Sequence, residues 1–226
     1  MIGRRKSGEI SSADCGPIAL ARHGATGKVG SIILKELVDR GHIVIAAART
    51  PEKVQKLENV TAVQDNLSNP KKTASIVKDA DAVISAYGPP PDDTNQLVGA
   101  TDCLIRGIEE AGGPRLIVVG GAGSLFVAPG VMLRDSGHVP KEWILIIDAH
   151  IEAFRKLKQT GIDWTYFSPA AFFEPGERTG KFRLGKDDLI TDAQGNSRIS
   201  FADYAIALVD ELENAQHRRG RFTIGY

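Results

Sequence analysis

Short apolar runs alternate along the chain with longer stretches in which apolar and charged residues interleave. Ile18-Ala19-Leu20-Ala21 is the first such run and stops shortly before Gly24. Ile32, Ile33, Leu34, Leu37 and Val38 then recur at helical spacing with Lys35, Glu36, Asp39 and Arg40 between them, which predicts an amphipathic helix. Gly41 is the residue type that ends helices in a left-handed turn. The run from His42 to Ala48 predicts a buried strand that closes at Arg49-Thr50-Pro51. Pro51 suits a first helical turn, which residues 52–57 would continue.

The same alternation continues. Val60 to Val63 predicts a third strand, residues 70–79 a helix, and Ala82 to Ala86 a fourth strand that runs into Tyr87-Gly88-Pro89. A helix over about 93–111 is stopped by Gly112-Gly113-Pro114. Leu116 to Val119 is the clearest strand and leads into Gly120-Gly121-Ala122-Gly123-Ser124. Residues 125–140 read as irregular, 142–159 as a helix stopped at Gly161, and Trp164 to Phe167 as a sixth strand ended by Ser168-Pro169-Ala170.

Strands that alternate with helices in this way predict an α/β fold, a Rossmann-like doubly wound parallel sheet with right-handed crossovers. The β-branched, apolar strands fit a parallel sheet covered on both faces. The remainder, about 172–226, predicts a small C-terminal cap over the carboxyl edge of the sheet. Its expected pieces are short strands at 182–184, 189–191 and 222–224, and a helix over 201–213 with Ser200 and Asp203 as its capping box. Residues 1–16 are polar and predict a disordered extension, which leaves 17–226 as one domain.

Charge and composition remove several classes of function. The 28 basic residues balance 28 acidic ones, so a nucleic-acid or anionic-membrane surface is not expected. No apolar run approaches the length of a membrane helix, which takes about 20 residues. Two cysteines, Cys15 and Cys103, form neither a disulfide framework nor a metal pattern, and a reducing cytoplasm is the simplest setting. The five histidines show no metal-ligand spacing, so no metal is expected. A monomer or homodimer acting on a small molecule fits this profile.

Candidate chemistry centres on Gly24-Ala25-Thr26-Gly27-Lys28-Val29-Gly30. Strand, glycine turn and helix in that order make a nucleotide-binding loop. The glycines let backbone approach a pyrophosphate, and the helix that opens there points free N–H groups at it. The spacing differs from the usual dinucleotide fingerprint, and an ordinary tight turn is the plain alternative. Arg49 ends the second strand, 19 residues after Gly30, where a chain that prefers NAD carries an acid for the ribose hydroxyl. A guanidinium there suits the 2′-phosphate of NADP, with NAD as the other choice. Asp65 and Asn66 lie where an adenine is held, or else simply form a turn. Ala86, Tyr87 and Gly88 should line the same edge. Ser124 and His150 are candidates for substrate contact and proton donation. Their plain alternatives are a turn residue and a helix surface residue.

These residues together resemble the short-chain dehydrogenase/reductase superfamily, and within it the atypical NAD(P)-binding branch that includes NmrA-like proteins and the biliverdin/flavin reductases. The match rests on Gly24 to Gly30, Arg49, Val118 to Ser124, His150-Ile151, Asp163 to Ala170, Pro175 to Gly180 and Ser200 to Ala205. The resemblance implies a nucleotide held by Gly24 to Gly30, Arg49, Asp65-Asn66, Ala86 to Gly88 and the Ser168, Pro169, Ala170 turn, the last at the nicotinamide end. It also implies a serine and a histidine near substrate, at Ser124 and His150.

Two departures from the family stand out. No tyrosine has a lysine four residues on, so carbonyl reduction by the usual Tyr-x-x-x-Lys pair is not expected. Arg22-His23 replaces apolar residues before the glycine loop and predicts a bulge or a displaced strand end. The first reading is therefore an NADPH-dependent reductase of a flavin, quinone or similar acceptor. The second is an NmrA-like NAD(P)-binding sensor without turnover, and the third an NAD-dependent epimerase or isomerase.

Overall fold

The computed structural model describes residues 19–24 and 26–226. The expected polar extension, Ile18 and Ala25 lie outside them. The chain opens with β1 (Ala19–His23), α1 (Lys28–Asp39) and β2 (Ile43–Ala48). Next come β3 (Val60–Gln64), α2 (Pro70–Val77), β4 (Ala82–Ser85) and α3 (Gln96–Glu110). β5 (Arg115–Val119), a small hairpin of β6 (Phe126–Ala128) and β7 (Val131–Met132), and α4 (Ile144–Lys158) follow. The last part holds β8 (Trp164–Ser168), β9 (Phe172–Glu174), β10 (Arg183–Gly185), β11 (Arg198–Ser200), α5 (Phe201–Asn214) and β12 (Gly220–Gly225).

Eight strands form one sheet in the order β10-β12-β8-β5-β4-β1-β2-β3, parallel except for β10. This is the expected doubly wound arrangement. One face is covered by α1 and α5, the other by α2, α3 and α4. Leu34, Leu37, Ile84, Phe167, Tyr204, Leu208 and Phe222 form the core on the first face. Phe167 lies at the centre, stacked on Tyr204 at 4.0 Å and on Phe222 at 3.9 Å. Each such side chain taken from water contributes about 2 kcal/mol. On the second face Leu104, Ile108, Leu116, Phe154, Leu157 and Tyr166 pack together.

Local signals explain the element ends. Gly41 has φ +82°, its N–H reaches Val38 O, and His42 N–H reaches Leu37 O, which closes α1. The Asn69 side chain accepts from Lys71 and Lys72 N–H at the start of α2. Ser200 Oγ accepts from Asp203 N–H at 3.0 Å, as the capping pattern predicts for α5.

Four expectations need correction. The helix after Pro51 is a single turn, Pro51–Lys53, because Val54 adopts an extended backbone and buries its side chain. Residues 125–140 contain the β6–β7 hairpin, turned at Gly130 with φ +76°. Residues 189–191 form no strand. Only Asp188 bridges to Phe126, and Ile190 crosses over the β10–β12 pair, where a Cβ on Gly225 would stand 2.9 Å from its own. β1 shows no bulge at Arg22-His23. It stays in register with β2 and β4 through His23, whose β4 neighbour is the polar Ser85. Ladder hydrogen bonds come from backbone, so polar side chains at the strand end leave the pairing intact.

The C-terminal segment divides between core and cover. β12, β10 and α5 complete the sheet and one helical layer, whereas β9 and β11 pair outside it, with Phe173 of β9 on the cleft described below. The 177–180 loop is tied down at both ends of a charged network. Arg178 donates to both oxygens of Glu36, which also accepts from Arg40, and Arg40 in turn bonds Asp210 and Glu213. Asp203 accepts from Thr179 N–H, Gly180 N–H, Thr179 Oγ1 and Tyr226 Oη. Among the described residues no helix is long and apolar enough to cross a membrane.

Candidate functional site

Strand order reverses between β1 and β4, and a parallel sheet opens a crevice outside the strand ends at that point. A cleft of about 530 Å³ lies there. Gly24 forms its floor. Its φ is +85°, and a Cβ would overlap the Ala86 carbonyl oxygen and stand 2.5 Å from its carbon. Only glycine lets the ends of β1 and β4 come this close. Thr26, Gly27, Lys28, Val29 and Gly30 line the cleft beside it, with the first three exposed. No side chain caps α1 at Gly27, and its first turn holds no acid. The amino end of a 12-residue helix thus opens on the cleft with its first N–H groups unfilled among the described residues. This fits a pyrophosphate.

The β2 side of the cleft is formed by Ala47, Ala48, Arg49, Asp65 and Leu67. Arg49 is exposed, and its guanidinium makes no hydrogen bond or ion pair among the described residues. Asp65 is buried. One carboxylate oxygen accepts from Leu67 N–H at 3.2 Å and the other from Thr73 Oγ1 at 3.0 Å. Asn66 does not line the cleft, and its side-chain oxygen accepts from the N–H and hydroxyl of Ser68. Both residues therefore shape the turn after β3, and Asp65 also borders the cleft.

Ala86, Tyr87, Gly88, Val119, Gly120, His150, Phe173 and Phe201 line the other end. Tyr87 Oη donates to Gln96 Oε1 at 3.3 Å. Burial raises the Tyr87 pKa, and Arg49 partly opposes the rise. His150 is half-buried on α4, and the protein packed around its ring lowers its pKa to about 4. The imidazole is therefore neutral at pH 7 and is not a ready proton donor. Beneath it lies Tyr166, fully buried, with its hydroxyl 3.1 Å from Gly121 N, 3.2 Å from His150 O and 3.4 Å from His150 Nδ1.

The remaining candidates lie outside the cleft lining. Ser124 is buried, and its hydroxyl accepts from Arg221 Nη1 at 2.8 Å, while Arg221 also pairs with Asp187. Its hydroxyl anchors β12 to the turn after β5. Ser168 and Ala170 are buried at the end of β8, and the Ser168 hydroxyl has no hydrogen-bond partner among the described residues. Pro169 lies between them, equally removed from the cleft lining. Sequence reasoning passed over Phe173, Phe201 and Tyr166. The first two belong to the segment read only as a cap. The signal for Tyr166 was the bare Gly120-Gly121 pair, since a Cβ on Gly120 would lie 2.6 Å from Tyr166 Cζ.

A family model described as NAD(P)H-binding matches residues 24–212, from the glycine that lines the cleft to the last turn of α5. The chain belongs to this NAD(P)H-binding family. The chain is 45% identical over 205 residues to the uncharacterised protein YwnB of Bacillus subtilis, a span of 89% of this chain and 95% of that one. Among solved structures, a Bacteroides thetaiotaomicron protein provisionally called an epimerase matches with TM-score 0.87 at 44% identity, over 93% of this chain and 98% of that one. A Streptococcus pneumoniae protein provisionally called an NADH-flavin reductase matches with TM-score 0.83 at 33% identity, over 92% and 99%. NAD(P)H binding is also what the residue-level resemblance implied.

Proposed function

We propose that the chain is an NADPH-dependent reductase that serves a small conjugated electron acceptor of the flavin or quinone kind. The observation that carries this reading is the far end of the cleft. Phe173, Phe201, Val119 and Gly120 give it apolar and aromatic walls, with the neutral His150 ring beside them. A simple carbonyl needs a proton donor at its oxygen, and the Tyr-x-x-x-Lys pair that supplies one elsewhere is absent. A conjugated acceptor spreads its developing charge and takes its proton from solvent.

Bound NADPH would supply a hydride from its nicotinamide ring. The chain's own part is to hold and orient. The amino end of α1 receives the pyrophosphate, and Lys28 adds a cation beside it. Arg49 favours a 2′-phosphate. The only carboxylate among the residues lining that side, Asp65, already accepts from Leu67 and Thr73. Phe173 and Phe201 keep water from the reacting face. The cytoplasm, where reduced nicotinamide cofactor is maintained, is the matching compartment.

The test is a titration with NADPH and NADH followed by turnover with flavin and quinone acceptors on the same sample. NADPH should bind more tightly. Arg49→Ala should weaken it about 10- to 100-fold, the worth of one charge-assisted bond, and leave NADH nearly unchanged. Binding without turnover would replace this reading by a redox sensor, and equal loss of both nucleotides in Arg49→Ala would remove the NADPH preference.

A further inference from the structure

We propose that Tyr166 locks His150 as a hydrogen-bond acceptor in the cleft, so that the site selects an occupant bearing an N–H or O–H donor. A flavin imide meets this requirement and a plain quinone does not. The choice between those two occupants rests on the reductase reading.

Three elements meet at the Tyr166 hydroxyl. Gly121 N–H, after β5, donates to it at 3.1 Å. It donates its own proton to the His150 carbonyl, on α4, at 3.2 Å. Its remaining lone pair faces His150 Nδ1 at 3.4 Å. With the phenol proton directed to the carbonyl, Nδ1 carries the ring proton and points it at the phenol oxygen. Nε2 is then left with a lone pair and has no protein partner among the described residues. Which nitrogen of a histidine is protonated follows from the bond the other one makes.

The surroundings hold this arrangement in place. The Tyr166 ring is stacked on Phe154 at 4.5 Å, and on its other side Gly120 leaves it room that a Cβ would take. Gly121 does the same for the imidazole, since a Cβ there would lie 3.0 Å from His150 Cγ. Two adjacent glycines thus make space for the two rings. Burial raises the Tyr166 pKa, so the phenol keeps its proton, and burial lowers that of His150, so the imidazole stays neutral near pH 7. A neutral ring protonated on Nδ1 can only accept at Nε2. Tyr166 acts through His150 and is a positioning residue.

Two measurements test this. The first needs no ligand. The imidazole nitrogen spectrum of His150 should show one form near pH 7, protonated on Nδ1. Tyr166→Phe, which keeps the packing, should shift the ring toward the Nε2-protonated form that a free imidazole favours. An Nε2-protonated ring in the wild type, or no change in Tyr166→Phe, would overturn the proposal. The second compares binding of an isoalloxazine that has a free imide with its N3-methylated form, read by flavin fluorescence. The wild type should prefer the free imide about tenfold, the worth of one hydrogen bond, and His150→Ala should lose that preference. Tyr166→Phe should reduce the preference in the wild-type background and change nothing in the His150→Ala background. A purely structural tether uses the backbone carbonyl of residue 150 and would cost the same in both. Equal binding of the two isoalloxazines, or binding of neither, overturns this inference. Discrimination without any NADPH oxidation overturns the reductase reading alone.

Discussion

Gly24 and Gly27 belong to one loop, yet the structure assigns them separate duties, and alanine at each should part them. At Gly24 two costs add. A residue with a Cβ at φ +85° forgoes about 1–2 kcal/mol. The new methyl also overlaps the Ala86 carbonyl and stands 3.0 Å from Tyr87 N, so the ends of β1 and β4 must part. Overpacking of this kind costs about 1–3 kcal/mol. Gly24→Ala should therefore lose about 2–5 kcal/mol, which for a domain of this size lowers Tm by about 4–20 °C. Gly27 differs. Its φ is −73° and a Cβ would meet only Gly24 O at 3.6 Å, an ordinary contact. Gly27→Ala places alanine at the N-cap of α1, where glycine is preferred, and should cost no more than about 1 kcal/mol. It should still weaken NADPH binding, because the methyl stands on the face the pyrophosphate approaches. The assays are thermal melts of the ligand-free protein by circular dichroism and nucleotide titration of each variant. A Gly24→Ala protein that melts within about 1 °C of wild type would refute the reasoning, as would equal destabilisation by the two substitutions.

Three further outcomes are expected. Asp203→Asn turns an amide N–H toward donors that now meet a carboxylate, and should cost about 2–4 kcal/mol in urea unfolding. In the pH dependence of stability, His150 has a folded pKa of about 4 against an ordinary 6.5, so protonation favours the unfolded chain. Stability should be full above about pH 6.5 and fall as the pH drops toward 4, and His150→Ala should flatten that segment. Burial raises the Glu36 and Asp203 carboxyls, yet the hydrogen bonds from Arg178 and Arg40, and from Thr179, Gly180 and Tyr226, leave both below their ordinary values, so a further loss follows below about pH 4.5. Ser124→Ala frees Arg221 from one acceptor, and should cost about 1 kcal/mol of stability while turnover stays within twofold. A tenfold loss of turnover would return Ser124 to the reacting site.

Much of the fold was legible because a parallel sheet writes itself as apolar runs, and helices as 3.6-residue stripes. The Gly24 to Gly30 loop was legible for a similar reason, since few backbones need glycine at such spacing. Reach across the chain was harder to read. Ser124 follows a glycine turn at a sheet edge, but its direction depends on Arg221, 97 residues away. Ile190 has strand-like neighbours, yet its place over Gly185 and Gly225 is set by two bare backbones far apart in sequence. Asp65 could be read as a ligand contact or a turn former, and the choice lay with Thr73 on the next helix. The polarity of Arg22-His23 argued for an irregular strand end, whereas the ladder on both sides holds it straight.

The Glu36–Arg178 contact bears on how firmly one side of the cleft is held. Phe173 stands on a segment whose continuation is bolted to α1 through Glu36 and to α5 through Asp203, and those helices pack on each other. That side of the cleft is thus pinned at two points, so a ligand that leans on Phe173 leans on the helical layer behind it. Lys28 and Gly88, which line the same cleft, stand exposed to solvent.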